Sequence, residues 1–175
     1  MNINNMAGVL IPGSLADYVG ADLIQLGFVT KDLEQAMQFL KKSYGVKKFL
    51  TKESRVTDAT YEGKPVNFSI KAAHAYIGNL FLEVIQPVSG ENPYDKYLTD
   101  TERKVTLHHL CMKVADWEKT IADIQKAGFE FSFEGHNPKG GIRFGYIDMT
   151  KEMGLMLEFI NGGDSLFDKL KSGTY

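Results

Sequence analysis

The stretch Gln25-Leu26-Gly27-Phe28-Val29-Thr30-Lys31-Asp32-Leu33-Glu34 returns later in the chain as His109-Leu110-Cys111-Met112-Lys113-Val114-Ala115-Asp116-Trp117-Glu118. The two runs lie 84 residues apart. At that spacing Leu26 meets Leu110, Asp32 meets Asp116, Glu34 meets Glu118 and Lys42 meets Lys126. Self-similarity at a fixed offset indicates a duplicated structural unit. Each copy opens with an apolar strand-like run, then an Asp, then a helical pattern. Leu33, Ala36, Met37 and Leu40 form one apolar face in the first copy; Trp117, Ile121 and Ile124 form it in the second. Asp32 and Asp116 sit where an N-cap accepts a bond from an orphan N–H. Gly45 and Gly128 follow the helix ends.

The copies also end alike. Leu80-Phe81-Leu82-Glu83-Val84-Ile85 matches Leu155-Met156-Leu157-Glu158-Phe159-Ile160. Here the offset is 158 − 83 = 75, so the second copy has lost 84 − 75 = 9 residues from its middle. Two further strands are expected in each copy, over 46–52 and 66–73 in the first and over 129–134 and 142–148 in the second. Each copy therefore reads β-α-β-β-β. The expected organisation is an N-terminal extension over 1–21, a first module over 22–87, a linker over 88–104, a second module over 105–160 and a tail over 161–175. A short helix is expected around Tyr94–Leu98, and an amphipathic one in the tail with Leu166, Phe167 and Leu170, covering an edge or a neighbouring subunit.

Side chains alternate across a strand. Leu26, Phe28, Leu80, Leu82, Leu110, Met112, Leu155 and Leu157 share faces that are wholly apolar and suit packing against the helices. The opposite faces each carry one polar residue among apolar ones: Gln25, Glu83, His109 and Glu158. An isolated buried carboxylate costs several kcal/mol unless it finds a partner or a proton. A divalent cation is one such partner, and an imidazole, carboxylate and amide set suits Zn, Ni, Co, Fe or Mn. A single strand histidine is more often a satisfied structural group, and an apolar-flanked Glu can pair with Lys or Arg. The repeat favours a shared site, because it places the four polar groups at matching points of the two copies. By the same parity His108 faces the helices and is structural, while Cys111 is a small apolar filler. His74 and His136 have no counterparts and fit loop or outer-shell positions. Phe68, Phe81, Phe144 and Tyr146 are the expected apolar lining. Gly140-Gly141 with Arg143 reads as a surface turn rather than an anion site.

Composition sets outer bounds. The 175 residues are 43% apolar, enough for a substantial core. A net charge of −2 argues against a nucleic-acid binder that works by neutralising phosphates. The single cysteine allows no intrachain disulfide and suits a reducing compartment. The first 21 residues lack a signal-peptide pattern, and no apolar run is long enough for a membrane span, so the expected setting is cytoplasmic with no membrane partner.

The motifs Gln25-Leu26-Gly27-Phe28-Val29 with Asp32-Leu33-Glu34, Leu107-His108-His109-Leu110 with Asp116, and Leu82-Glu83-Val84-Ile85-Gln86-Pro87 resemble glyoxalase I and methylmalonyl-CoA epimerase modules of the vicinal oxygen chelate superfamily. The resemblance runs from about Asp22 to Ile160. It implies an α+β fold in which two βαβββ modules curve an eight-stranded mixed sheet around a metal cup. It carries the metal ligands over to Gln25, Glu83, His109 and Glu158, a set similar to that of one glyoxalase I class. The epimerases usually have His and Gln where this chain has Gln25 and Glu83, and extradiol dioxygenases need a histidine that the first module lacks. The resemblance implies a metal-dependent isomerase, epimerase or lyase that moves a proton next to a carbonyl through a stabilised enolate. Glu158 is then the first choice of base, with Glu62 the weaker one from the epimerase side. The expected partner is a small, fairly apolar carbonyl compound, and a homodimer is expected. The alternative within the superfamily is a non-catalytic binding protein of the bleomycin-resistance type.

Overall fold

The computed structural model describes residues 22–78, 80–100, 102–137 and 140–173; the extension expected over 1–21 lies outside them. Its strands are β1 (Asp22–Val29), β2 (Leu50–Val56), β3 (Ala59–Tyr61), β4 (Lys64–Pro65), β5 (Phe68–Ile77), β6 (Leu80–Ser89), β7 (Thr106–Lys113), β8 (Phe133–Asn137), β9 (Ile142–Met149) and β10 (Leu155–Asn161). The helices are α1 (Leu33–Tyr44), α2 (Trp117–Lys126), α3 (Thr150–Met153) and α4 (Asp164–Ser172), with a 3₁₀ turn over Asp95–Tyr97. All the strands join one curled mixed sheet in the order β2-β5-β6-β1-β7-β10-β9-β8-β3-β4. Among the described residues ten strands thus stand where eight are expected.

The register follows the repeat arithmetic. β1 runs parallel to β6 with Gln25 opposite Phe81 and Gly27 opposite Glu83. β7 runs parallel to β10 with His109 opposite Met156 and Cys111 opposite Glu158. Gln25 and His109 therefore hold equivalent places, as do Glu83 and Glu158. β1 and β7 pair antiparallel at the centre of the sheet.

The helix signals act as expected. Asp32 Oδ1 accepts from Gln35 N at 2.9 Å and Asp116 Oδ1 from Lys119 N at 3.0 Å. Gly45 closes α1 in the left-handed conformation. On the helix side of β1 and β6, Leu26, Leu82 and Val84 pack with Leu33, Ala36 and Leu40. On that side of β7 and β10, Leu110, Leu157 and Phe159 pack with Trp117 and Ile124. Truncating Leu82 or Leu157 to Ala is expected to cost about 2–5 kcal/mol in denaturant unfolding, with Leu26 and Leu110, which are only partly buried, at the lower end. Losses near zero at all four would mean that these side chains do not belong to the core.

Several boundaries differ from expectation for a shared reason. Val46 and Phe49 pack under α1, and Phe129 and Phe131 pack under α2, before their strands begin. Apolar residues that read as strand are thus loop residues serving the helix layer, and β2 and β8 start later, at Leu50 and Phe133. The β3–β4 hairpin was not expected. Its two-residue turn, Glu62-Gly63, has φ 49° and 73°. Such turns are usually marked by Asn-Gly or Asp-Gly, and Glu in the first place hides the signal.

A candidate metal centre

Four adjacent central strands, β6-β1-β7-β10, carry Glu83, Gln25, His109 and Glu158 on the face opposite α1 and α2. Gln25 Nε2 donates to Glu83 Oε2 at 2.9 Å and lies 3.1 Å from His109 Nε2. His109 Nε2 is 3.5 Å from Glu83 Oε2 and 3.2 Å from Glu158 Oε2. Ligand-type atoms of Glu83, His109 and Glu158 all lie within 4.8 Å of one another. His109 is fully buried and Glu158 nearly so. Despite its closeness to His109, Glu158 Oε2 is not aligned with any donor and is a buried acceptor without a hydrogen bond.

The electrostatics follow from two carboxylates around one imidazole. Burial alone would raise the Glu83 pKa, but the nearby His109 ring and the hydrogen bond from His74 outweigh it and hold the carboxyl well below its usual range. Burial alone would lower His109, but the charges of Glu158 and Glu83, 3.2 and 3.5 Å from its Nε2, raise it to about 9. In this state the imidazolium provides the positive charge between the carboxylates.

His108 overturns the parity reading that turned it toward the helices. Its ring packs on Tyr97 at 4.5 Å, Tyr94 at 5.2 Å and Tyr146 at 6.0 Å, and its Nδ1 lies 2.9 Å from His109 Nδ1. The cause is a bulge: Gly27 pairs with His109 and Phe28 with Leu107, so His108 is the extra residue. Parity breaks there, and both imidazoles share the concave side. Burial, then repulsion from His109, pushes the His108 pKa well below its usual value. His109 therefore donates from Nδ1 and neutral His108 accepts, which directs His109 Nε2 at the carboxylates.

Gly27 makes this placement sterically feasible. A Cβ there would fall 1.8 Å from His109 Cε1 and 1.9 Å from Nε2, so the imidazole lies flat on the bare backbone of β1. An isolated Gly in a strand signals such close approach, a cue the sequence reading did not use. Gly27→Ala is expected to push the ring out of place and cost about 1–3 kcal/mol of stability in denaturant titration. Unchanged stability together with an unmoved His109 would refute the contact.

The surroundings are aromatic. Phe68, Phe133, Tyr94 and Tyr146 are buried in one cluster with Met156, and Phe144 packs against it. Phe81 stacks on His74 and meets the edge of Phe167 from α4, so the tail helix closes one end of the concave face. The segment before β7 brings Tyr94 against Phe68, His108 and Phe133, and there Asn92 Oδ1 accepts from Tyr94 N and Asp95 N. Burial, then the charges of Glu83 and Glu158, raises the Tyr94 pKa well above its usual value; for Tyr146 burial and Glu158 lead. Both hydroxyls thus stay protonated. Burial, then Glu158, likewise raises the Cys111 thiol.

Other expected positions lie apart from this cluster. Glu62 is exposed at the β3–β4 turn. His136 is exposed on β8, 3.6 Å from Asp58. Arg143 donates to Glu118 at 2.6 Å. Two surface grooves, of about 530 and 410 Å³, are lined by Thr57–Thr60, His136 and Arg143 and by Asp32–Glu34 and Lys52 respectively; none of the four central polar residues lines either. The chemistry is therefore placed by the polar cluster and not by groove size.

The sequence profile of the Glyoxalase/Bleomycin resistance protein/Dioxygenase superfamily matches residues 24–146. The chain belongs to that superfamily. No curated protein matches it significantly. Among solved structures it is similar to a hypothetical protein from Bacillus halodurans (TM-score 0.58, 18% identity, 81% of this chain and 94% of that one). It is also similar to a methylmalonyl-CoA epimerase in complex with methylmalonyl-CoA and NH4+ (0.54, 19%, 81% and 94%). The epimerase from Mycobacterium tuberculosis is a third (0.56, 14%, 86% and 93%). At these identities the likeness shows the superfamily fold alone. No helix among the described residues is long and apolar enough to cross a membrane.

Proposed function

We propose that this superfamily member is a divalent-metal-dependent enzyme of the glyoxalase/epimerase type that transfers a proton next to a carbonyl, as an isomerase, epimerase or lyase. One observation carries the reading: four polar groups from four adjacent strands converge beside a buried aromatic cluster, and a buried oxygen of Glu158 is left there without a hydrogen bond. The donor set fits a cation of the Zn, Ni, Co, Fe or Mn class, held by Glu83, His109, Glu158 and Gln25. For Gln25 to take part, its amide must turn over, since its nitrogen now points at Glu83 and His109. The equal registers of β1 with β6 and β7 with β10 support reading the chain as two βαβββ modules, 22–87 and 105–160, joined through 88–104.

Glu83, His109, Glu158 and Gln25 would hold the cation, which when bound would supply Lewis-acid polarisation of the substrate's carbonyl and offset the negative charge of C–H loss. Glu158 would accept that proton and return it to the neighbouring carbon, while epimerisation needs a second proton donor on the opposite face; either way the step is redox-neutral. Tyr94 and Tyr146, both protonated, donate hydrogen bonds to substrate oxygen, and their rings with Phe68 and Phe133 exclude water. Glu62 is the weaker choice of base. The substrate class is a small apolar carbonyl compound, including acyl thioesters, and the protein acts as a homodimer. The test is metal analysis of the purified protein, then deuterium uptake from D2O into a panel of α-substituted carbonyl compounds that includes methylmalonyl-CoA. Metal binding with uptake supports the proposal. Neither metal nor uptake, with tight retention of an apolar compound, would replace it with the sequestering role.

A further inference from the structure

His74 has no counterpart in the repeat, yet β5 brings it to the centre. It lies opposite Glu83 in the β5–β6 ladder, and its Nε2 is 2.9 Å from Glu83 Oε1. The other oxygen of that carboxylate, Oε2, is the one near Gln25 and His109. The two oxygens are thus divided, one facing outward to His74 and one facing the cluster. His74 is 7% exposed and its ring is stacked on Phe81 at 5.7 Å and 23°. Its Nδ1 is buried without a hydrogen-bond partner, so the ring is fixed by stacking and by the single bond to Glu83. His74 does not belong to the group whose ligand atoms lie mutually within 4.8 Å. It reaches the cluster only through the carboxylate.

We infer that His74 is a positioning residue: by holding Glu83 Oε1 it fixes the carboxylate so that Oε2 alone faces the metal. The inference rests on the metal reading above. A carboxylate free to swing can turn both oxygens inward or leave the site. One pinned by an outer-shell donor presents one oxygen in one place, and loss of such donors costs metal affinity about 10–100-fold. Glu158 differs: its buried Oε2 has no hydrogen bond and lies 3.2 Å from His109 Nε2.

The test is the Zn²⁺ dissociation constant, measured by competition with a chromophoric chelator, for wild type, His109→Ala, His74→Phe and His74→Gln. Phe keeps a flat ring on Phe81 and removes the donor; Gln restores an N–H. The expected result is a loss of about 10–100-fold in His74→Phe and recovery to within about threefold of wild type in His74→Gln. Nitrogen-15 spectra of the zinc-loaded wild type add a reading that needs no variant: His74 should carry its proton on Nε2. Equal affinity in wild type and His74→Phe overturns the inference while leaving the metal site standing. So does an unprotonated His74 Nε2. Zinc binding that is absent from wild type, or that survives undiminished in His109→Ala, overturns the metal reading and this role with it.

Discussion

Glu158→Gln is expected to slow deuterium exchange into the true substrate by a factor on the order of 10² or more, while metal is weakened but retained. Gln keeps an oxygen able to bind a cation, as proposed for Gln25, and loses the charge and the basicity. Glu158 is suited to the base role by its position: opposite Tyr146 and Cys111 in the sheet, 3.2 Å from His109, with Oε2 lacking a hydrogen bond. His109→Ala should behave differently. It removes the one nitrogen ligand, so metal occupancy itself should fall. It also removes the positive charge between two buried carboxylates, so the metal-free variant should melt below the wild type. Metal content, thermal melting and deuterium exchange on the three proteins separate these effects. Full occupancy in His109→Ala would remove it from the ligand set. Undiminished exchange in Glu158→Gln would move the base to Glu83 or Glu62.

The four central residues were legible because a repeat turns weak local signals into correlated ones. A lone Gln on a strand means little, but Gln25 falls on His109, and Glu83 falls on Glu158, in arithmetic that the ladder registers reproduce. What escaped the sequence is what depends on contacts between chain segments. The bulge at His108 cannot be inferred from its neighbours, because it arises from a count mismatch with β1. A second register shift falls at Ile24, 84 residues earlier. His74 stands alone in the sequence and gains meaning only when β5 pairs with β6. The strand boundaries failed where Val46 and Phe131 serve the helix layer from loops, since apolarity reports burial and not hydrogen bonding.

Metal affinity is expected to rise about tenfold per pH unit from neutrality until it levels near pH 9, with about one proton released per ion bound at pH 7. In the metal-free protein His109 is held protonated to about 9, because the charges of the two nearby carboxylates, Glu158 first, outweigh burial. A cation must displace that proton, since a nitrogen ligand binds only when neutral. Stability should move the other way. A pKa raised above its unfolded value of about 6.5 contributes fully below that pH and is lost as pH rises through about 9. The metal-free protein should therefore lose thermal stability between those limits, by an amount on the order of a few kcal/mol, while the stabilisation conferred by added metal grows over the same window. On the acid side Glu83 has the opposite sign: its depressed pKa contributes stability above the usual carboxylate range, and the contribution is lost as pH falls below it. Calorimetry in buffers of different ionisation enthalpy counts the protons, and melting curves with and without metal give the two slopes. Metal binding at pH 7 without proton release would mean that His109 is already neutral there, and that the cation does not replace its charge.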